Sequence, residues 1–288
     1  METTLNKSGF LAVRLHYSDD PATWTPDRVA AVRAAIPGWR WRKEYEIDFA
    51  ARGGQKVYDA FDPLVHVRPD PVDLAECFRY KVIDHGRRNP TACLWFAEYR
   101  GHDRDTVYFY REYYRPDATI AEHSREILKL ETKRETRMTL IDPATHRRLD
   151  NSNSTIADEY AAAGITTIPA DNHLAAGIEA VTAALVAALA RWSIDHQTLH
   201  PHLAQTAIPA SELDALAKKR ALYFHPALVN AIRELTHLAW DDHADDNPDQ
   251  PLCEKITHVD DHAADCVRYA LLRKRALPQN VKSSLKHL

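Results

Sequence analysis

The sequence predicts an α/β fold, a mixed central sheet flanked by helices, and three observations carry that expectation. Phe78 to Ile83, Thr91 to Tyr99 and Thr106 to Tyr114 are rich in aromatic and β-branched residues and are separated by turn-like stretches, as three consecutive strands would be. After them helix-period and strand-period patterns alternate to about Arg273, the order expected when helices cover a sheet. Two of the apolar segments, YKVID and MTLID, each end in an aspartate.

The elements follow in chain order. Residues 1 to 75 hold Trp-rich, Pro-punctuated pieces. Thr25-Pro26 reads as an N-cap followed by proline at the first helical position, which predicts a short helix to about Ala35. WRWRKEYEIDF (Trp39 to Phe49) and GGQKVYDAFD (Gly53 to Asp62) read as extended or irregular. After the three strands, Pro116 and Asp117 start a helix to Leu130, and Arg137 to Asp142 is a short strand. Ser154 to Gly164 is a helix begun by serine and ended by glycine, and ITTIP a further strand. Asn172 to Trp192 is a long apolar helix, too interrupted by polar residues to cross a membrane, and is expected to pack across the sheet. Residues 195–220 read as a loop-helix insertion, His225 to Ala239 and Asp260 to Arg273 as helices, and the polar tail 278–288 as disordered. The expected division is thus 1–75, a linker region, 76–277, the α/β domain, and 278–288, the tail.

Composition excludes more than it identifies. No run approaches the ~18 consecutive apolar residues of a membrane span, and the N-terminus lacks a signal pattern, so the expectation is a cytoplasmic protein. Cys77, Cys93, Cys253 and Cys266 are scattered without a close pair, which points to reduced structural thiols rather than zinc or disulfides. The net charge of −4 is unlike that of a protein that coats nucleic acid, although basic residues cluster at Arg87-Arg88, Arg147-Arg148, Lys218 to Arg220 and Arg273 to Arg275. Neither GxxxxGK[ST] nor GxGxxG occurs, so no nucleotide-phosphate loop is expected.

The chemistry rests on acids. A lone strand-end aspartate is most often a turn former. Asp84 and Asp142 share one context, however, and DDHAADCVRYAL adds a helix on which His262, Asp265, Arg268 and Tyr269 recur at three- to four-residue spacing. Three hard oxygen donors suit Mg²⁺ or Mn²⁺ rather than zinc, and can hold a metal pair that activates water in phosphodiester hydrolysis. Asp150, Asp158 and Glu159 compete with Asp142, but a strand end fixes a ligand better than a loop. Asp260 and Asp261 compete with Asp265, with helix capping as their commoner role. His85 and His262 are candidate water or phosphate partners, and Arg87, Arg88, Arg147 and Arg148 candidate phosphate contacts.

The order of elements, with acids on the first strand, a later strand and a late helix, is that of ribonuclease H-like nucleases. Within that group YKVIDHGRRNPTACLWF, TLIDPA, ADNHLAAGIEAVTAAL, HPALVNAIRELTHLAWD and THVDDHAADCVRYALL resemble, in order and spacing, the C-terminal nuclease domain of the large terminase subunit of tailed bacteriophages. The resemblance runs from about Glu44 to Leu272. It implies that Asp84, Asp142 and Asp265 are the metal-binding acids, with two Mg²⁺ or Mn²⁺ ions, and that His262 matches a histidine one turn before the last acid. It also implies an endonuclease that cuts concatemeric double-stranded DNA during packaging, partnered by an ATPase domain, a small terminase subunit and a portal. The departure is the missing Walker motif: residues 1–75 read as the tail end of an absent ATPase domain plus linker, in an excised piece or a truncated prophage gene, and no ATPase activity is expected. The alternatives are a junction resolvase or RNA-DNA hybrid nuclease of the same fold, or a non-catalytic prophage remnant that serves as a docking module.

Overall fold

The computed structural model describes residues 2–5, 11–14, 16–35, 41, 45, 56–86, 89–101, 104–131, 136–148, 154–240, 256 and 261–273. These fall into two compact units, Met1–Val57 with Leu238–His258, and Tyr58–His237 with Val259–Leu288. The larger unit therefore takes in residues 58–75, which the sequence reading grouped with the linker. The tail 278–288, most of Trp39 to Phe49, and Arg87 and Arg88 lie outside the described residues.

In the smaller unit β1 (Glu2–Leu5) pairs antiparallel with β2 (Leu11–Arg14), and α1 spans Pro26–Ala35. Thr25 Oγ1 accepts from Arg28 N–H at 3.4 Å, a long bond at the expected cap. The apolar centre is a ring cluster. Trp41 is buried and stacks on Tyr45 at 4.7 Å between centroids, with Tyr17 and Trp24 edge-on.

The larger unit begins with α2 (Pro63–His66), started by Asp62 as N-cap with proline at the first position. Then come β3 (Phe78–Asp84), β4 (Thr91–Tyr99), β5 (Thr106–Arg115), α3 (Ile120–Lys129), β6 (Thr139–Ile141), α4 (Ile156–Ala162), β7 (Ile168–Pro169), α5 (Leu174–Asp195), α6 (Pro201–Gln205), α7 (Leu213–Ala217), β8 (Ala221–Phe224), α8 (Val229–His237) and α9 (His262–Leu272). Capping boxes start α3 at Thr119 and Glu122, and α4 at Thr155 and Asp158. Six strands form one sheet in the order β7-β6-β3-β4-β5-β8. β3, β4 and β5 run as an antiparallel meander, whereas the β3/β6, β6/β7 and β5/β8 pairs are parallel. The sheet is mixed, as expected.

Side-chain alternation sorts the two faces. Ile83, Cys93, Trp95, Tyr113 and Ile141 point to one side and pack with Ile127, Tyr160 and Ile165 under α3 and α4. On the other side an aromatic ladder crosses four strands: Tyr80 meets Phe96 at 5.3 Å, Phe96 meets Phe109 at 5.4 Å, and Phe109 stacks on Phe224 at 5.4 Å. α5 packs on β8 and α9, and α9 on β3 and β4. By length and composition α5 would pass for a membrane span, but 56% of its apolar window is buried inside the protein.

The region 195–220 is anchored through two buried groups. The Arg191 guanidinium donates to the carbonyls of Asp105, Ala217 and Lys219 and to Thr106 Oγ1, all at 2.8–2.9 Å. His200 pairs with Asp62 at 3.0 Å. Differences from the sequence expectations lie at weak elements. β8 was not foreseen, and ITTIP forms a strand only at its last two residues. Cys77, Cys93 and Cys266 are free thiols.

Glu98 is fully buried and carries an unusual load: Arg220 at 2.6 Å, Arg273 at 2.5 Å and Arg100 at 3.1 Å. Arg220 also donates to the carbonyl of Leu271 at 3.1 Å, so this carboxylate ties the C-terminal end of α9 to β4. Removing it leaves three guanidinium groups around a hole. Glu98→Ala is expected to lower unfolding free energy by about 3–5 kcal/mol, measured by urea titration. A loss below about 1 kcal/mol, the size of an exposed pair, would contradict the burial-based account.

Candidate metal centre

Register brings the two strand-end acids together. In the parallel β3/β6 pair Lys81, Val82 and Ile83 lie opposite Thr139, Leu140 and Ile141. Asp84 and Asp142 come next, and the Asp142 amide donates to the Ile83 carbonyl at 3.2 Å. Ile83 and Ile141 face α3 and α4, so alternation turns both aspartates to the α9 side of the sheet. Neighbouring strands are ~4.8 Å apart, so the two residues stand at adjacent strand ends, where Asp142 Oδ1 also accepts from Ala144 N–H at 3.0 Å.

The third acid comes from α9, which lies along β3 with its N-terminal turn at the strand's end. His262 Nδ1 donates to Asp84 Oδ2 at 2.9 Å. One turn later Asp265 Oδ1 takes two bonds from Arg268, at 2.7 Å and 3.2 Å, and Tyr269 reaches Oδ2 at 3.4 Å. Arg268 passes close to α5, where a Cβ on Gly177 would collide with its Cγ and Cδ. Glycine there serves close approach of side chain to backbone.

Electrostatics tie the three acids into one group. Burial pushes the Asp84 carboxyl up to about 6, opposed by its bond from His262 and helped by the charges of Asp265 and Asp142. Asp265 is raised by burial against the pull of Arg268. His262 is raised by its bond to Asp84. Tyr269 is raised by burial, then by Asp265, Asp84 and Asp142 together. Mutual repulsion of carboxylates is what a divalent cation relieves, and all-oxygen donors suit a hard one. The residues present therefore fit Mg²⁺ or Mn²⁺ chemically. Among the described residues no three His, Cys, Asp or Glu side chains are already gathered as a cage, since His262 and Arg268 engage the acids instead.

The other candidates distribute differently. Arg147 and Arg148 are exposed just past the turn that Asp142 caps. His85 points to the opposite face, where it meets Tyr160 at 3.1 Å. Asp158 is spent in the α4 capping box and Glu159 is exposed. Asp150 and Asp260 lie outside the described residues. Asp261 occupies the N-cap position of α9, but its side chain does not cap the helix. Glu234 on α8 does so instead, its Oε2 accepting from Ala263 N–H at 2.6 Å and Ala264 N–H at 2.9 Å. Sequence reasoning passed over this residue. Its partners lie on α9, 29 and 30 residues further along the chain, so no local pattern marks it.

A cavity of about 510 Å³ opens between β6, β7 and the second half of α9, with Pro143, Asn172, Tyr269 and Arg273 in its wall. A larger one of about 610 Å³, around Tyr99, Thr106, Arg191 and Tyr223, lies at the other end of the strands, and the walls of both cavities are built without Asp84, Asp142 and Asp265.

No family model and no curated protein matches the sequence. Among solved structures the fold is that of phage large terminases. The chain is similar to the large terminase of a thermophilic bacteriophage, with 19% identity and a TM-score of 0.54 over 88% of this chain and 52% of that one. It is also similar to the P22 large terminase nuclease domain, with 14% identity and a TM-score of 0.51 over 76% of this chain and 92% of that one. The chain thus spans about half the length of the thermophilic phage protein. At such identities the likeness establishes the fold, a ribonuclease H-like mixed sheet flanked by helices.

Ionisation of the site has a sign that can be measured. Because the folded state holds the Asp84 proton more tightly than the unfolded chain, metal-free protein should lose stability as pH rises from 3.8 through about 6. The His262 contribution, from a raised value, is present below 6.5 and also fades as pH rises through its folded value. Asp84→Asn carries no such proton. It should match wild type near pH ~4 and exceed it near pH ~8 by up to roughly 3 kcal/mol in chemical denaturation. Parallel pH curves for the two proteins would contradict the raised Asp84.

Proposed function

We propose that the chain is a metal-dependent endodeoxyribonuclease that cuts concatemeric double-stranded DNA during genome packaging of a tailed phage or prophage, in the host cytoplasm. The observation that carries this reading is the β3/β6 register, which sets Asp84 and Asp142 side by side on the face where α9 supplies Asp265. Asp84, Asp142 and Asp265 would hold the divalent ions, two Mg²⁺ or Mn²⁺. Bound there, such ions lower the pKa of an attacking water and stabilise the leaving 3′ oxygen of a phosphodiester. The chain's own side chains do the rest. His262 orients the Asp84 carboxylate, and Arg268 holds Asp265 and offsets its charge.

Arg147 and Arg148, exposed beside Asp142, are the proposed contacts to DNA phosphates, together with Arg87 and Arg88, which follow Asp84 in the sequence. Domain identity follows from the same reading. Residues 76–277 are proposed as the nuclease domain with 195–220 as an insertion, and residues 1–75 as the approach to it from an ATPase domain, the last of them, from Tyr58, already packed into the larger unit. The ATPase, the small terminase subunit and the portal are the proposed partners.

Cutting of supercoiled plasmid in Mn²⁺ tests the reading. Asp84→Asn, Asp142→Asn and Asp265→Asn should each fold and cut at least ~100-fold more slowly, the scale set by loss of a transition-state interaction of several kcal/mol. Undiminished cutting by Asp84→Asn would sink the mechanism. Preference for a four-way junction or an RNA-DNA hybrid over linear duplex would redirect the substrate and leave the chemistry in place. Binding can be read without turnover: at ~100-fold excess of Mn²⁺ over its dissociation constant the folded state gains about 2.7 kcal/mol. A melting temperature that stays flat across the Mn²⁺ titration would exclude the site.

Phosphate contact has its own signature. Arg147→Ala and Arg148→Ala should each weaken duplex binding regardless of sequence and reduce the salt slope by about 1. An unchanged slope would remove these residues from the interface.

A further inference from the structure

α9 carries both His262 and Asp265, so whatever sets its N-terminal turn sets the candidate metal centre. The backbone N–H groups there have no partners within the helix and need acceptors from outside. Glu234 provides one. It is buried on α8, and one of its carboxylate oxygens accepts from both Ala263 and Ala264, the two residues between His262 and Asp265.

α8 is fixed in the same manner. Glu112 of β5 takes the N–H of Asn230 at 3.1 Å and its side-chain amide at 2.8 Å through one oxygen, and the N–H of Ala231 at 2.7 Å through the other. Two carboxylates in series therefore hold two helix N-termini, each also favoured by the dipole of the helix it caps. The path runs from β5 through Glu112 to α8, through Glu234 to α9, and through His262 to Asp84 on β3. β4 closes the ring by pairing with both β3 and β5.

We propose that Glu234, supported by Glu112, is a positioning residue that sets where His262 and Asp265 stand relative to Asp84 and Asp142, and so sets the affinity of the centre for its divalent ion. Both carboxylates act through the backbone of the helices they cap. This rests on the nuclease reading above, but its first test does not require it. Outer partners that hold metal ligands in place typically change affinity by 10–100-fold when lost, which gives the size of the effect to look for.

The experiment uses the full chain in four forms beside wild type: Glu234→Ala, Glu234→Gln, Glu112→Ala and Arg191→Lys. Metal-free hydrogen exchange comes first. Amides of residues 262–266 should exchange at least ~10-fold faster in Glu234→Ala and measurably faster in Glu112→Ala, while Glu234→Gln, whose amide oxygen can accept the same bonds, stays near wild type. Calorimetric titration with Mn²⁺ should then show affinity ~10-fold or more weaker in Glu234→Ala and within ~3-fold of wild type in Glu234→Gln. The Mn²⁺ concentration for half-maximal plasmid nicking should move in parallel.

Arg191→Lys separates positioning from simple loss of stability, because it loosens the far end of the sheet. It should lower the melting temperature while leaving the Mn²⁺ midpoint unchanged. If Glu234→Ala does not fold, Glu112→Ala carries the comparison. Unchanged exchange at 262–266 overturns the relay, as does a Glu234→Gln variant as impaired as Glu234→Ala. A Mn²⁺ midpoint that moves equally in Arg191→Lys also overturns it. Wild-type protein that shows the exchange pattern but neither binds Mn²⁺ nor cuts DNA would overturn the nuclease reading and the metal role, while leaving the positional link intact.

Discussion

The parallel pairing of β6 against β3 is the constraint on which the rest depends. Ile83 and Ile141 are fully buried in the same cluster, with Trp95, Ile127 and Tyr160 packed around them. Moving either strand by one residue would drive an isoleucine toward the α9 face and an aspartate into hydrocarbon, a large cost in both directions. Apolar packing on one face therefore dictates the polar arrangement on the other. The acids inherit their adjacency from a core that contains none of them.

That adjacency must be maintained against repulsion and against the cost of burying charge. Two hydrogen-bonding partners absorb part of it, His262 at Asp84 and the Arg268 guanidinium at Asp265, both delivered by one helix. The same helix is secured at its other end, where Arg273 and Arg220 converge on Glu98 and Arg220 also takes the Leu271 carbonyl. The aromatic ladder Tyr80, Phe96, Phe109 and Phe224 supplies the apolar surface below, and Arg273 lies over the Tyr80 ring at 4.1 Å. A site with unfavourable local charge is thus carried on a helix fixed at both ends and packed along its length.

Sequence patterns revealed most of this frame. The meander strands were readable almost to the residue because Phe78 to Arg115 combines β-branched and aromatic runs with clear turns. Asp84 and Asp142 stood out through their shared strand-end context, and His262 and Asp265 through helical spacing. What escaped is non-local. β8 is only four residues long and is held as a strand by its register with β5, where Thr106 faces Ala221. Glu234 reads as an ordinary helical glutamate until α9 is placed above it, and Gly177 as an ordinary helix glycine until Arg268 crosses it. Arg191 likewise has its partners 26 to 86 residues away. No local window contains such information.

The two margins of the sheet bear on how this protein can associate. One margin is β7, a strand of two residues that ends in Pro169, which has no N–H to offer an approaching strand. The other is β8, where Val67 already bridges Phe224 and the Arg68 amide takes the Phe224 carbonyl. Among the described residues, a neighbouring polypeptide finds no long open row of donors and acceptors at either margin of this sheet. Edge-to-edge strand addition is thereby disfavoured at both margins of the six-stranded sheet.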